Sequence, residues 1–149
     1  MAIFFNQNMK ITFNSVDLSD HVTSATLNYK FDAIETTSQG QLAHDYIGGL
    51  QSGDVSITFN NDSATASVLQ TLNAAIGTKV PILLQQDKTA AVSATNPKYS
   101  GYFFIDTITP IAGDIGALAQ QQVTFQLAAA PSGATTPFTA GCGIVVSTS

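Results

Sequence analysis

The sequence carries little charge and no arginine. Charged residues make up 10% of the 149 positions, against about 25% in an average globular protein. A protein that reads nucleic-acid sequence normally has a basic stripe, with arginines that bind base edges. The net charge of −5 and the scattered lysines therefore exclude that class.

Several other classes are excluded by what the chain lacks. Cys142 is the one cysteine, so an internal disulfide framework and a cysteine-rich zinc site are both excluded. No apolar run approaches the roughly 18 residues of a membrane span. The first ten residues have neither a basic start nor a long apolar stretch. We therefore expect no secretory signal, no membrane binding by this chain, and a cytoplasmic site of synthesis.

Uncharged polar residues are abundant instead. Serine, threonine, asparagine and glutamine account for 50 of the 149 residues, while apolar residues account for 44%. That apolar content excludes intrinsic disorder, which needs low hydrophobicity and high net charge. A chain of this length forms one domain by default and can bury a substantial core.

Alternation of apolar and polar residues predicts most of the secondary structure. The segments 22–31, 54–60 and 119–128 alternate with period two, which is typical of strands with one buried and one solvated face. Shorter strands are predicted at 10–14, 79–86 and 98–109. Pro81 favours an edge position for its strand. The middle of 98–109 is apolar on both sides, which predicts a strand covered by the core on one face and by a partner on the other.

One segment has helical spacing. Asn61, Asp62 and Ser63 form a capping cluster, and the apolar residues that follow recur every three or four positions up to Ile76. Gly77 stands where a left-handed terminating residue belongs. This pattern predicts a helix over about residues 63–76.

Two segments do not fit a compact β domain. Residues 36–53 contain four glycines and predict a long loop, and such loops are usually functional or disordered. Residues 131–149 are rich in Gly, Ser, Thr and Pro but end in an apolar triplet. That triplet either docks on another chain as an added strand or belongs to a frayed terminus. We therefore predict a mainly β fold, an antiparallel sandwich or barrel-like sheet with one flanking helix, a long β–β loop and extended termini.

The sequence contains no recognisable catalytic, metal or cofactor motif. His44 and Asp45 are adjacent, but adjacency does not align two side chains for proton transfer. With His21 as the only other histidine, a Ser-His-Asp arrangement stays open, although no nucleophile-elbow motif is present. Asp17 and Asp20 could bind a cation, but a solvated turn explains them better. We expect no enzyme activity, no cofactor and no metal.

The order of segments resembles that of bacteriophage tail tube proteins, also called major tail proteins. The matching stretches are 14–22, 46–62 and the helix that ends at Ile76-Gly77, and the resemblance covers roughly residues 10–128. It implies a virion protein that forms hexameric rings stacked into a tube through which DNA is ejected. Its partners would be other copies of itself, a tape-measure protein, and terminator and tip proteins, with DNA only in transit. The chain would reside in the virion tail, and in the host cytoplasm during assembly.

The resemblance also assigns roles to parts of this chain. It implies an N-terminal arm over 1–9, a tube domain over 10–130 and a C-terminal extension over 131–149. Terminal contacts would involve Phe4, Phe5, Ile144, Val145 and Val146. Contacts between subunits would involve loop residues Gln41, His44, Asp45, Tyr46 and Leu50. From the polar faces of the predicted strands, the candidates for the tube lumen are Ser24, Thr26, Asn28, Asp54, Ser56, Thr58, Gln120, Gln122 and Thr124.

Other functions remain open at this point. The chain could be another tail or neck protein, such as a terminator or a decoration protein. It could also be a carbohydrate-binding or adhesive β-sandwich, although it has no tryptophan for an aromatic sugar platform.

Overall fold

The fold is mainly antiparallel β, as the alternation predicts. The computed structural model describes residues 8–149, which contain eight strands, one α-helix and one short 3-10 helix at Ser19–His21. The strands are β1 (Lys10–Phe13), β2 (Val16–Asp17), β3 (Val22–Glu35), β4 (Tyr46–Asn60), β5 (Lys79–Gln85), β6 (Lys98–Phe104), β7 (Gln120–Ala128) and β8 (Val145–Ser147), and the helix is α1 (Val68–Ala75). At eight residues, this helix is too short to cross a membrane, and the described part of the chain has no helix that could.

All eight strands belong to one sheet: seven follow the order β2-β1-β5-β6-β7-β4-β3, and β8 pairs with β6 outside this order. Every paired neighbour is antiparallel, and β2 and β3 are the two edges. The sheet curves so that side chains from distant strands meet across it. Phe13 of β1 packs against Phe125 of β7, with ring centroids 5.9 Å apart, and Tyr29 of β3 approaches Tyr99 of β6 at 6.4 Å.

The core lies between the inner face of this sheet and α1. Odd-numbered apolar residues of β4 and β7 point inward, and Val68 and Leu72 of the helix complete the same cluster with no exposed surface. The inward residues of β4 and β7 are Val55, Ile57, Phe59, Val123 and Phe125. The alternate residues of the same strands therefore lie on the outer face, on the side away from α1.

The helix is shorter than its sequence pattern predicts, because its first five predicted residues form turns. The Asp62 carboxylate accepts the Ala64 backbone N–H and the Ser67 hydroxyl, both at 2.9 Å. Ala66 has a left-handed φ of 59°, and Ser67 is extended, so α1 begins only at Val68. The capping side chain thus stabilises a non-helical turn ahead of the helix instead of its first turn.

The proline-containing strand β5 is not an edge strand, which corrects the expectation from Pro81. β5 lies between β1 and β6. The Pro81 carbonyl accepts the Asn14 backbone N–H at 2.9 Å, on the side of β5 that faces β1. The N–H and the C=O of one residue point to the same side of a strand. The N–H that proline lacks would therefore also face β1, one position beyond Phe13 and Ile82, the last residue pair of the ladder between β1 and β5. Proline therefore removes no hydrogen bond from the ladder with β6.

Much of the predicted long loop over 36–53 is strand. β3 continues to Glu35 and β4 begins at Tyr46, and the two pair from end to end except at bulges. β7 covers β4 only from Asp54 to Asn60, so residues 29–53 project beyond the sheet as a two-stranded ribbon, the hairpin arm. Its glycines allow close pairing: a Cβ at Gly53 would meet the Asn28 carbonyl oxygen and lie 2.9 Å from the Tyr29 Cβ.

The C-terminal segment rejoins the sheet of its own chain. β8 pairs with Lys98–Ser100 of β6. It lies on the same side of β6 as β7, whose pairing with that strand ends at Ala128. Between them the chain loops out, and the loop is closed by the Ala130 N–H donated to the Cys142 carbonyl at 3.0 Å. Phe138 of this loop packs edge-on against Tyr102, with centroids 4.8 Å apart. The outer face of β6 is therefore covered at Tyr102 by the chain itself and not by a partner, while Phe104 at the end of the strand is 41% exposed.

Helix α1 provides a direct test of the core. We expect Leu72→Ala to lower the free energy of unfolding by about 2–5 kcal/mol, because Leu72 is fully buried against the sheet. The matched control is Asn73→Ala on the exposed side of the same turn, where a change within about 0.5 kcal/mol is expected. Equal stabilities in urea unfolding would contradict the packing described here.

The arm offers a second matched pair. Gly53→Ala should cost about 1–3 kcal/mol, because its Cβ collides with the backbone of β3. Gly48→Ala should be close to neutral, since its Cβ would lie 3.8 Å from the Phe31 Cβ, an ordinary contact. Thermal unfolding of the two variants measures the difference, and a cost at Gly48 equal to that at Gly53 would refute the close approach at Gly53.

Candidate functional site

The outer face of β3, β4 and β7 brings together all nine candidates for a lumen surface. The antiparallel registers align them in rows: Ser24, Thr58 and Gln122 form one row, and Thr26, Ser56 and Thr124 form the next. Asn28 and Asp54 follow in a third row, and Gln120 lies beside Asn60 at the end of the face. Those on β3 and β7 are exposed, and those on β4, between them, are half-buried.

Hydrogen bonds connect the side chains of this face. The hydroxyl of Thr124 lies 3.3 Å from that of Ser56, and Gln120 donates to Asn60 Oδ1 at 2.8 Å. Side-chain alternation along the strands places two charged residues on this face, Asp54 and Lys30. The result is a continuous, hydrogen-bonding surface that is close to neutral.

The hairpin arm carries seven large exposed apolar side chains. Its apolar side chains are 41–105% exposed and lie on both strands and the turn: Tyr29, Phe31, Ile34, Leu42, Tyr46, Ile47 and Leu50. Isolated two-stranded ribbons are marginally stable in water, and a contiguous exposed apolar surface usually marks an interaction site. The predicted loop contacts Tyr46 and Leu50 are 53% and 83% exposed and belong to this surface.

The turn of the arm is held by polar contacts that involve the other three loop candidates. The Thr36 N–H donates to the Asp45 carbonyl at 2.8 Å, and Gln41 Oε1 accepts the Ser38 N–H at 2.6 Å. His44 Nδ1 lies 2.6 Å from Glu35 Oε1. The hydrogen bonds from His44 and then Thr37 hold the pKa of Glu35 below its usual value. These residues therefore shape the turn that presents the apolar side chains.

A second exposed apolar surface lies at the other end of β4. The loop over 106–119 carries Ile111, Ile115 and Leu118 at 93%, 108% and 69% exposure. Asn61 ties it to the end of β4, because its N–H donates to the Ala119 carbonyl at 2.9 Å. None of these three residues is among the contact residues expected from the sequence. The sequence signal for this surface was the presence of three large aliphatic residues in a segment that also contains Gly, Pro and Asp.

The C-terminal candidates lie within the chain's own sheet. Ile144 packs against the core, its N–H donates to Gln51 Oε1 at 2.8 Å, and Val145 and Val146 form β8. This contact connects the C-terminal strand to the base of the arm. Phe4 and Phe5 lie outside the described residues.

The structure does bring one serine, one histidine and one aspartate together. Ser67 Oγ and Asp62 Oδ2 lie 3.4 and 3.6 Å from the same ring nitrogen, His21 Nε2. A catalytic relay needs the carboxylate on the opposite nitrogen from the nucleophile. Here the Ser67 hydroxyl also donates to Asp62 directly, at 2.9 Å. The Ala64 N–H and then this hydroxyl lower the pKa of Asp62, so the cluster stabilises the turn that precedes α1.

The two carboxylates that the sequence offers as possible cation ligands have structural partners. Asp17 accepts the Ser19 backbone N–H at 3.0 Å, and Asp20 pairs with Lys88 Nζ at 2.9 Å. Between residues 8 and 149, no three His, Cys, Asp or Glu side chains are grouped as a metal site. The site that the geometry supports is therefore a set of surfaces: an outer polar face, and an apolar surface at each end of β4.

The comparisons with known proteins concern the fold. No protein-family model matches the sequence, and a search of curated proteins finds no match. Among solved structures, a chain of "Virion of native gene transfer agent (GTA) particle" superposes with a TM-score of 0.68 at 13% identity, over 86% of this chain and 96% of that one. A chain of "Tail of empty GTA particle computed with helical refinement, C6 symmetry" gives 0.56 at 17% identity, over 80% and 83%. The fold implied by the resemblance is confirmed.

Proposed function

We propose that this chain is a structural subunit of a phage-type tail, and that its copies form hexameric rings which stack into a tube. Two observations support it: the fold is shared with chains of a virion and of a tail with C6 symmetry, and the hairpin arm exposes seven large apolar side chains on its two strands and turn. The arm carries the argument, because a ribbon of this composition needs a partner to cover it.

The partner in this proposal is another copy of the chain. The arm and the loop 106–119 lie at opposite ends of β4, whose 15 residues span roughly 50 Å at 3.3 Å per residue. When two different apolar surfaces of one subunit bind each other on neighbouring copies, the contacts are heterologous. Such contacts generate closed rings or open filaments. We assign the arm to contacts between subunits, with the loop 106–119 as a surface able to receive it.

The outer polar face is assigned to the lumen. A lysine-rich wall would bind phosphates and release their counterions, which would hold DNA in place. The hydroxyl and amide groups of this face, with one carboxylate and one ammonium group, would let DNA pass without specific binding. Further partners would be a tape-measure protein inside the tube during assembly, and terminator and tip proteins; the location would be the virion tail.

The division of the chain stays part of this proposal. Residues 1–9 would form an N-terminal arm, 10–130 the tube domain and 131–149 a C-terminal extension. The contact of Ile144 with Gln51 supports a role for the extension in setting the base of the hairpin arm.

Electron microscopy of the purified protein tests assembly. We expect wild type to form rings or hollow striated tubes at high concentration, and Phe31→Ser/Leu50→Ser to remain monomeric with an unchanged far-UV spectrum. Both side chains are more than half exposed, so their loss should change stability by only about 0.5 kcal/mol. The matched control is Ile76→Ser, an exposed apolar residue at the end of α1, which should assemble like wild type. Wild-type monomers at every concentration would contradict the proposal, and tubes of the double variant would exclude the arm.

Cysteine labelling tests which face lines the lumen. In a Cys142→Ser background, Thr124→Cys on the outer face should react with a bulky maleimide in the monomer and lose at least tenfold in rate inside tubes. Asn73→Cys, on the exposed side of α1 and across the sheet from that face, should react equally in both states. Protection of position 73 with free labelling of position 124 would reverse the assignment.

A further inference from the structure

A groove lies between β3 and β1, where the curved sheet does not close. Its volume is about 350 Å³, and four aliphatic residues at the edge of the core line it: Ile11, Ala25, Leu27 and Leu84. An apolar cavity of about 150 Å³ accepts a molecule of the size of benzene. The groove is more than twice that size and therefore has room for aliphatic side chains of a partner.

The groove is continuous with the hairpin arm. Tyr29 lines the groove, packs beside Tyr99 with ring centroids 6.4 Å apart, and is the first residue of the arm. It is also 41% exposed. A partner that covers the base of the arm therefore reaches the groove as well, so one contact can bury both apolar surfaces.

The loop 106–119 is an ordered projection of apolar side chains. Asn61 closes its base, because its side chain donates to the Pro110 carbonyl at 3.4 Å and its backbone N–H donates to the Ala119 carbonyl at 2.9 Å. Three aliphatic residues lie between these anchors and are 69–108% exposed: Ile111, Ile115 and Leu118. A projection that is already ordered loses little conformational freedom when it binds.

Charge identifies this loop as a fitting occupant of the groove. Among the described residues that line the groove, Lys10 is the charged one, whereas the two charged residues of the loop, Asp106 and Asp114, are both acidic. Within residues 8–149, the ion pairs involve neither Lys10 nor Asp114. Because Asp114 directly precedes Ile115, a loop seated in the groove brings a carboxylate toward the Lys10 ammonium group.

The positions of the two surfaces require a second copy. Leu27 pairs with Val55, six residues before Asn61, so groove and loop anchor are separated by roughly 20 Å along β4 at 3.3 Å per residue. The aliphatic side chains of the loop are almost fully exposed and lie outside the groove of their own subunit. Copies that follow one another along β4 bring the loop of one to the groove of the next, and such a contact can repeat.

We propose that the loop 106–119 of one copy docks in the groove of the next copy, with Ile115 against Leu27 and Leu84 and with Asp114 beside Lys10. This inference rests on the proposed function, because it identifies one of the contacts by which copies of the chain associate. The occupant of the groove is thus a second copy of this chain.

Disulfide trapping between copies tests the contact. In a Cys142→Ser background, Leu27→Cys/Ile115→Cys should give a ladder of dimers, trimers and longer products in mild oxidant at assembly concentration, because each copy has one groove and one loop. The matched control is Asn28→Cys/Ile115→Cys, whose first cysteine is the next residue of β3 and lies on the outer face. Its yield of cross-linked product should be at least tenfold lower.

Charge reversal supplies a second measurement that leaves Leu27 intact. Lys10→Asp and Asp114→Lys should each raise the critical concentration for assembly about tenfold or more, since each places like charges together. Lys10→Asp/Asp114→Lys restores an opposite pair and should assemble at nearly the wild-type concentration. Sedimentation measures the three values, and a double variant no better than the single variants would overturn the pairing of Lys10 with Asp114.

The outcomes separate this contact from the proposed function. Wild-type tubes with no ladder would overturn the contact and leave the tube standing, whereas a ladder from a protein that forms neither rings nor tubes would support the contact alone. Dimers without longer products would indicate a two-fold contact and overturn the proposal. A disulfide within one chain, with a yield unaffected by dilution, would assign the groove to the loop of its own subunit. Monomers without a ladder at every concentration would contradict both proposals.

Discussion

The antiparallel register of β3, β4 and β7 is the constraint on which the other features depend. Because side chains alternate along each strand, one register places Val55, Ile57 and Phe125 against α1 and aligns Ser56, Thr26 and Thr124 on the opposite face. A slip by one residue would expose the core and bury the hydroxyl groups. The same pairing therefore stabilises the fold and builds the polar surface that we assign to the lumen.

The hairpin arm follows from how far that pairing extends. β3 and β4 continue together well beyond the point where β7 stops, so the end of the ribbon has neither a third strand nor a core beneath it. Its apolar side chains can be buried only by another surface. An isolated subunit with such an arm has unfavourable exposed area that assembly would remove, which connects the geometry of the ribbon to the proposed polymer.

The C-terminal segment shows how a stretch with a weak sequence signal becomes part of the fold. Phe138 covers Tyr102 on the outer face of β6, while Ile144 reaches the core and donates its N–H to Gln51 at the base of the arm. The extension thus packs against both faces of the sheet and contacts β4. Between β3 and β1, where the sheet does not close, a groove lined partly by apolar side chains reaches the edge of the core.

The sequence by itself determined the strands with clear alternation, the presence of α1, the polar composition of one sheet face and the absence of a basic binding surface. These features depend on local periodicity and composition, which can be read from the sequence directly. Tertiary structure decided the rest. Asp62 stabilises a turn, so α1 begins five residues later than its spacing predicts. Gly49 and Gly53 approach β3 closely, so residues predicted to form a loop are part of a paired ribbon, the hairpin arm. Pro81 is tolerated in an interior strand because the N–H that it lacks would face β1 beyond the last residue pair of the β1–β5 ladder. Each of these outcomes depends on a neighbour that is distant in sequence, and a local pattern contains no information about such a neighbour.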